Sequence, residues 1–309
     1  MKPQLHHLLG IQSLDQKQII YLLDRAEYFL KTAVAKQEML TTLRGKVVVN
    51  LFFEPSTRTR NSFEIAAHRL GAIVLSPDMK QSSTTKGELL IDTIRNLEAM
   101  GASLLVIRHP DNHLAQFLAA EVNTQVSVVN AGDGSNEHPT QTLLDLMTMR
   151  QHFKDFSKLT IAIVGDIAHS RVARSLIMGL RLMGVPRIRI IAPESFTPDH
   201  AELAHVDVFH AMDAGLKDAD IIYTLRIQKE RMKEDQRPKD DQYFKNFGLT
   251  QERLVLAKRD AIVMHPGPMN RGIEIESSVA DGAQSAILQQ TQNSVAVRMA
   301  VLEVLLIRS

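Results

Sequence analysis

The sequence has no cysteine among its 309 residues. That excludes disulfides, thiolate nucleophiles and zinc sites built on cysteine, and it fits a reducing compartment. No apolar run approaches the ~18 residues of a membrane span. The N-terminal stretch MKPQLHHLLG lacks the long apolar core of a signal peptide. The expectation is a soluble, cytoplasmic chain with no membrane partner. An excess of one charge is also missing: 36 Lys and Arg stand against 35 Asp and Glu. No global field therefore points to nucleic acid, and local clusters of cations carry more information than the total. The twelve histidines show no HExxH or similar ligand spacing, and no metal or other cofactor is expected.

What is present is a rhythm. Continuous apolar runs at 47–53, 72–76, 104–108 and 126–129 alternate with helical patterns at 59–70, 87–100, 112–121 and 139–153. After Lys154-Asp155 the rhythm restarts, with runs at 160–164, 187–191, 206–209, 220–225 and 261–264, and 283–307 is again helical. Runs that are apolar throughout belong to parallel sheets covered on both faces. At roughly 150 residues per domain, the pattern predicts an α/β chain of two doubly wound parallel-sheet domains of similar size. Residues 1–146 form the first, 147–286 the second, and a C-terminal helix, about 287–309, packs back on the first. Near the N-terminus, Ser13-Leu-Asp-Gln16 has the spacing of a capping box opening a helix through Ile19, Leu23, Ala26 and Leu30.

Ligands of open parallel sheets bind outside the carboxyl ends of the strands, so the residues just after each apolar run are the candidates for a site. After the first run comes Pro55-Ser56-Thr57-Arg58-Thr59-Arg60. Unpaired N–H groups at a helix start, two threonine hydroxyls, a serine and an arginine fork make an anion cradle suited to phosphate. The plainer reading is a Ser N-cap with arginines paired to Glu54 and Glu64. Arg108 ends the third run and has Asp111 as a nearby partner. After the fourth, a Gly-rich loop leads to His138-Pro139-Thr140-Gln141. There Pro139 suits a first helical turn, and His138 and Gln141 share a face; His138 either caps the helix or donates to a ligand carbonyl.

In the second half, IVGDIAHSRVARSL lacks the G-x-G-x-x-G spacing of a dinucleotide site. Arg171 stands at the helix start, where it can face a carboxylate, and Val172, Leu176, Leu180 and Met183 trace the buried stripe. Arg226 and Gln228 stand at a strand end, before a stretch from Lys229 to Asp241 with ten charged residues in thirteen. That stretch is either a solvated face or a mobile lid. AIVMHPGPMNRGIEI adds a stiff Pro-Gly-Pro turn. Lys86, in SSTTKGE, has no obvious local role.

Together, PSTRTR, SSTTKGE, HPTQ, HSRVARS, TLRIQKER and HPGPMNRGIEI occur in an order, across nearly the whole chain, that resembles the catalytic chains of the aspartate carbamoyltransferases. Ser-Thr-Arg-Thr and His-Pro-x-Gln are shared with the ornithine-using relatives, whose Cys-containing motif a cysteine-free chain lacks. The resemblance implies carbamoyl phosphate contacts from Ser56, Thr57, Arg58, Thr59, Arg108, His138 and Gln141. It adds backbone contacts from Gly267 and Pro268, where some members carry Leu-Pro. L-Aspartate would be held by Lys86, Arg171, Arg226 and Gln228. Ser82 and Lys86 would come from the adjacent subunit of a homotrimer, itself open to a regulatory chain or a dihydroorotase-like partner. The catalytic set implied is His138, Arg108, Thr59, Arg58 and Lys86. A carbamoyltransferase for ornithine or another amine, a non-catalytic anion-binding scaffold and a nucleotide-dependent oxidoreductase are the competing readings.

Overall fold

A computed structural model describes residues 3–79, 87–199 and 205–307. The chain divides into two compact units, Met1–Met147 with Thr291–Ser309, and Thr148–Gln290.

In the first unit, β1 (Val47–Phe52), β2 (Ile73–Leu75), β3 (Leu104–His109) and β4 (Ser127–Asp133) form a parallel sheet in the order β2-β1-β3-β4. Val48, Val49, Leu51, Leu104 to Ile107, Val128 and Val129 are almost wholly buried, as a sheet covered on both faces requires. Strand β4 runs four residues past the apolar run, through Asn130-Ala-Gly-Asp133. Its polar end stays paired because Asn130 and Asp133 bond to each other at 2.7 Å. Strand β2 is a short edge on which Ile73 and Leu75 are exposed. The crossover helices are α2 (Thr57–Arg69), α3 (Leu90–Ala99) and α4 (Leu114–Glu121), preceded in the chain by α1 (Gln16–Phe29).

Helix α1 opens differently from the expected Ser13–Gln16 box. Asp15 is the N-cap, accepting from the Gln18 backbone N–H at 2.7 Å, while Gln18 Oε1 accepts from the Asp15 N–H at 2.8 Å. Ser13 ends a preceding 3-10 turn, and its hydroxyl donates to the Gly10 carbonyl at 2.7 Å. A carboxylate is the better acceptor for an orphan N–H at a helix's positive end, so the box forms two residues later.

In the second unit, β5 (Thr160–Val164), β6 (Arg187–Ile191), β7 (Asp207–Phe209), β8 (Ile221–Thr224) and β9 (Ile262–Met264) form a parallel sheet in the order β7-β6-β5-β8-β9. Helix α6 (Arg171–Leu182) buries Ala173, Leu176, Ile177 and Leu180; Val172, expected on that stripe, is only half-buried. The charged stretch folds into two 3-10 turns and the start of a helix, Asp240–Phe247, with Lys229 paired to Asp240 at 2.5 Å.

The long helix α5 (Pro139–His152) and the C-terminal helix Ile287–Leu306 are each divided between the two units. The C-terminal helix is anchored on the first. Glu303 takes both arms of the Arg25 guanidinium at 2.8 Å, and Arg298 lies 4.9 Å from the Phe63 ring centroid. Among the described residues no helix is long and apolar enough to cross a membrane.

Candidate active site

Parallel pairing puts every carboxyl end of a sheet on one side, and register decides which ends are neighbours. In the first unit, Phe52 is opposite Arg108, the Phe53 N–H donates to the Arg108 carbonyl at 2.9 Å, and His109 is opposite Asp133. Strand order reverses between β1 and β3. The segments holding Ser56 to Thr59, Arg108 and His138 thus leave three adjacent strands at the switch point.

Ser56 is the N-cap of α2, but its hydroxyl makes no capping bond. The first N–H groups of a 13-residue helix stay open beside it, with the positive end of the helix dipole. Thr57 and Arg58 are exposed, and Thr59 is buried. No ion pair to Arg58 occurs among the described residues, and although the residue is exposed overall, partial desolvation of its guanidinium lowers its pKa from the ordinary arginine value. Arg60 pairs with Glu64 at 3.6 Å, so one half of the plainer reading holds. Arg108 pairs with Glu54 at 3.2 Å, not with Asp111, which lies 3.7 Å from His109. The cause is register: Glu54 comes two residues after the end of β1, the strand beside β3.

His138 is 3% exposed and stands immediately before α5. Gln141, one turn on, donates to buried Asp145 at 3.0 Å. Sequence reading missed the group that shapes this loop, Asp133. Its two oxygens accept from Asn130 Nδ2 and the Glu137 N–H, and from the His113 N–H and Asn136 Nδ2, at 2.7–3.0 Å. An acidic residue between two glycines after a buried strand was the available signal.

In the second unit, Asp166 comes after β5 and is fully buried. Oδ1 accepts from the His169 ring at 2.8 Å, and Oδ2 accepts from the Gln228 N–H at 3.0 Å. This carboxylate, which the motif reading passed over, ties the loop before α6 to the loop after β8. Gly165 before it cannot carry a side chain: a Cβ would sit 2.7 Å from the Leu225 carbonyl oxygen. Ser170 caps α6 through the Ala173 N–H at 3.2 Å, and Arg171, the first helical residue, is 6% exposed. Arg226 is half-buried and binds Glu230 with both arms, and it donates to Gln228 Oε1 at 3.2 Å. Hydrogen bonding to Glu230 raises the Arg226 pKa further. Gly267 and Pro268 lie after β9 in a turn with a cis peptide between them. Arg171, Arg226, Gln228, Gly267 and Pro268 thus all lie beyond the carboxyl ends of β5, β8 and β9. Ser82 and Lys86 lie outside the described residues. Among the described residues no group of three or more His, Asp or Glu could hold a metal ion.

Two cationic, hydrogen-bond-rich sets, one in each unit, have the chemistry to hold a phosphate and carboxylates. Residues 6–151 match the aspartate/ornithine carbamoyltransferase carbamoyl-P binding domain, and residues 157–305 match the Asp/Orn binding domain of the same family. The chain is 52% identical to the aspartate carbamoyltransferase catalytic subunit of Coxiella burnetii over 98% of its own length and 96% of that protein's. Among solved structures it is similar to aspartate transcarbamoylase from Trypanosoma cruzi in complex with N-(phosphonacetyl)-L-aspartic acid, with a TM-score of 0.87, 31% identity and coverage of 97% and 95%. Ornithine carbamoyltransferase from Thermus thermophilus gives a TM-score of 0.86 at 28% identity, with coverage of 98% and 100%. The chain belongs to the aspartate/ornithine carbamoyltransferase family.

Proposed function

We propose that this protein transfers the carbamoyl group of carbamoyl phosphate to the amino group of L-aspartate, giving N-carbamoyl-L-aspartate and phosphate, an early step of pyrimidine biosynthesis. The observation that carries the chemistry is the open N-terminus of α2, with an uncapped Ser56 hydroxyl, which follows the strand beside the one ending in Arg108-His109, itself beside β4, whose following loop leads to His138. The choice of aspartate is supported by the Coxiella burnetii relative.

Ser56, Thr57 and Arg58 hold the phosphate through hydroxyls, helix N–H groups and a guanidinium. The aspartate nitrogen attacks the carbamoyl carbon, and the resulting oxyanion takes hydrogen bonds from Thr59, Arg108 and His138. One such donor is typically worth ~3 kcal/mol. Gln141 and the backbone of Gly267 and Pro268 orient the carbamoyl amide, and Arg171, Arg226, Gln228 and Lys86 hold the aspartate carboxylates. The C–O bond to phosphate then breaks, and a phosphate oxygen takes the amine proton. Holding two anions together against their repulsion supplies much of the rate. Ser82 and Lys86 are assigned to the adjacent subunit of a cytoplasmic homotrimer, which a regulatory chain or dihydroorotase-like protein would extend.

The test is phosphate release from carbamoyl phosphate with L-aspartate or L-ornithine as acceptor. Release with aspartate alone is the expected result; release with ornithine in its place would move the chain to the other branch of its family. Native mass measurement reads the trimer.

A further inference from the structure

The turn after β9 is held by two residues with no role in the reaction proposed above. His265 and Glu274 are buried, with side chains 0% and 2% exposed. The Gly267 N–H donates to His265 Nδ1 at 2.7 Å. Nδ1 is therefore the unprotonated nitrogen, and Nε2 carries the proton, which it donates to Glu274 Oε1 at 3.1 Å. The same carboxylate oxygen accepts the Asn270 N–H at 2.5 Å. The ends of this assembly are fastened too. The His265 N–H donates to Gln290 Oε1 at 2.9 Å, and the Glu274 carbonyl accepts from the Leu249 N–H at 3.0 Å. The Glu274 carboxylate also lies close enough to act on the charge of Arg226.

A bond to the Gly267 N–H restrains the Pro266–Gly267 peptide plane, the entry to the cis Gly267–Pro268 peptide. We propose that His265 and Glu274 are a positioning pair: the carboxylate locks the imidazole, and the imidazole clamps the turn that presents the Gly267 and Pro268 carbonyls to the carbamoyl amide. This rests on the carbamoyl-transfer reading, in which those carbonyls orient the electrophile.

The two nitrogens of the ring can be tested separately. An asparagine side chain reproduces an acceptor at the Nδ1 position, and a glutamine side chain reproduces a donor at the Nε2 position. His265→Asn keeps the Gly267 bond; His265→Gln keeps the Glu274 bond and frees the turn. The expected result is that His265→Gln loses roughly 10- to 100-fold in kcat, the scale of a ~1 Å misplacement of reacting groups, while His265→Asn stays within about threefold. Inhibition by inorganic phosphate, which reads the cradle of the first unit, stays unchanged in both. Glu274→Ala and Glu274→Gln give a second series should a histidine variant fail to fold, with loss in the first and rescue in the second. Equal kcat in all folded variants, or an equal loss accompanied by loss of phosphate binding, overturns the positioning role. The unaltered protein, assayed alongside, reads the underlying reaction separately: no phosphate release there sinks the carbamoyl-transfer reading itself.

Discussion

Arg226 holds Glu230, four residues on, with both arms of its guanidinium, one bond measuring 3.0 Å. The charge proposed to meet a substrate carboxylate is thus held by an internal one. Burial is the strongest single influence on Glu230 and pushes its pKa up, but the hydrogen bond from Arg226, a backbone hydrogen bond and the charges of Arg226 and Arg231 together outweigh it, and the value falls below the ordinary glutamate value.

Removing that hold should weaken substrate binding. Glu230→Ala is expected to raise the KM for L-aspartate about tenfold, equivalent to ~1.4 kcal/mol, with the KM for carbamoyl phosphate little changed. Steady-state kinetics with each substrate varied check this; an unchanged aspartate KM counts against the role of Arg226.

The same pair sets a pH dependence. A carboxylate with a depressed folded-state pKa stabilises the fold above its unfolded value, and that contribution is lost as pH falls through the folded value. Wild type is expected to lose more stability than Glu230→Gln on acidification below the ordinary glutamate range. Denaturant midpoints measured across that range read the difference, which should vanish if the pair contributes nothing.

Arg58→Ala is expected to abolish turnover. His138→Ala should lower kcat by roughly 10²- to 10³-fold, the scale of one lost oxyanion donor, and change substrate binding less. The opposite split between kcat and KM would reassign His138 to ground-state binding.

Chains that are each inactive should complement one another if a site is shared between copies. Mixing Lys86→Ala chains with Arg58→Ala chains is expected to restore activity, because some hybrid trimers carry one site with both residues intact. No recovery in hybrids verified by native mass measurement rules out the shared site.

The helix cap offers a test of stability alone. Asp15→Ala removes the carboxylate that caps the Gln18 N–H, while the residue-15 N–H can still donate to Gln18 Oε1, and is expected to cost about 1 kcal/mol; Ser13→Ala, which loses one turn bond to the Gly10 carbonyl and no helix cap, should cost less. Urea midpoints compare the two.

Much of the fold was legible because parallel strands buried on both faces are apolar throughout, which marked runs at 47–53, 104–108 and 160–164, where the strands Val47–Phe52, Leu104–His109 and Thr160–Val164 form. Strand β4 was read short because Asn130 and Asp133 look like loop residues until a buried hydrogen bond between them is seen. The capping box was placed two residues early because Ser13 and Asp15 both suit an N-cap, and spacing alone does not rank a hydroxyl against a carboxylate. For the site, the cationic and polar clusters after β1, β4, β8 and β9 announced themselves as polar punctuation after apolar runs. Their buried supports did not: Asp166 and Glu274 stand inside the quoted stretches and Asp133 in the Gly-rich loop, but spacing gave none of them a role, because each acts on backbone groups that come near only once the chain has folded.

The order of elements, the parallel pairing and the chemical character of each strand end are therefore properties of the sequence by itself, since they depend on local composition and period. Which strand ends become neighbours, that Arg108 meets Glu54 and not Asp111, and which imidazole nitrogen of His265 faces Gly267 were decided only by the tertiary structure. Those outcomes depend on register between distant segments, as with Glu54 and Arg108, 54 residues apart. Register is set by packing of whole sheets, which no short stretch of sequence contains.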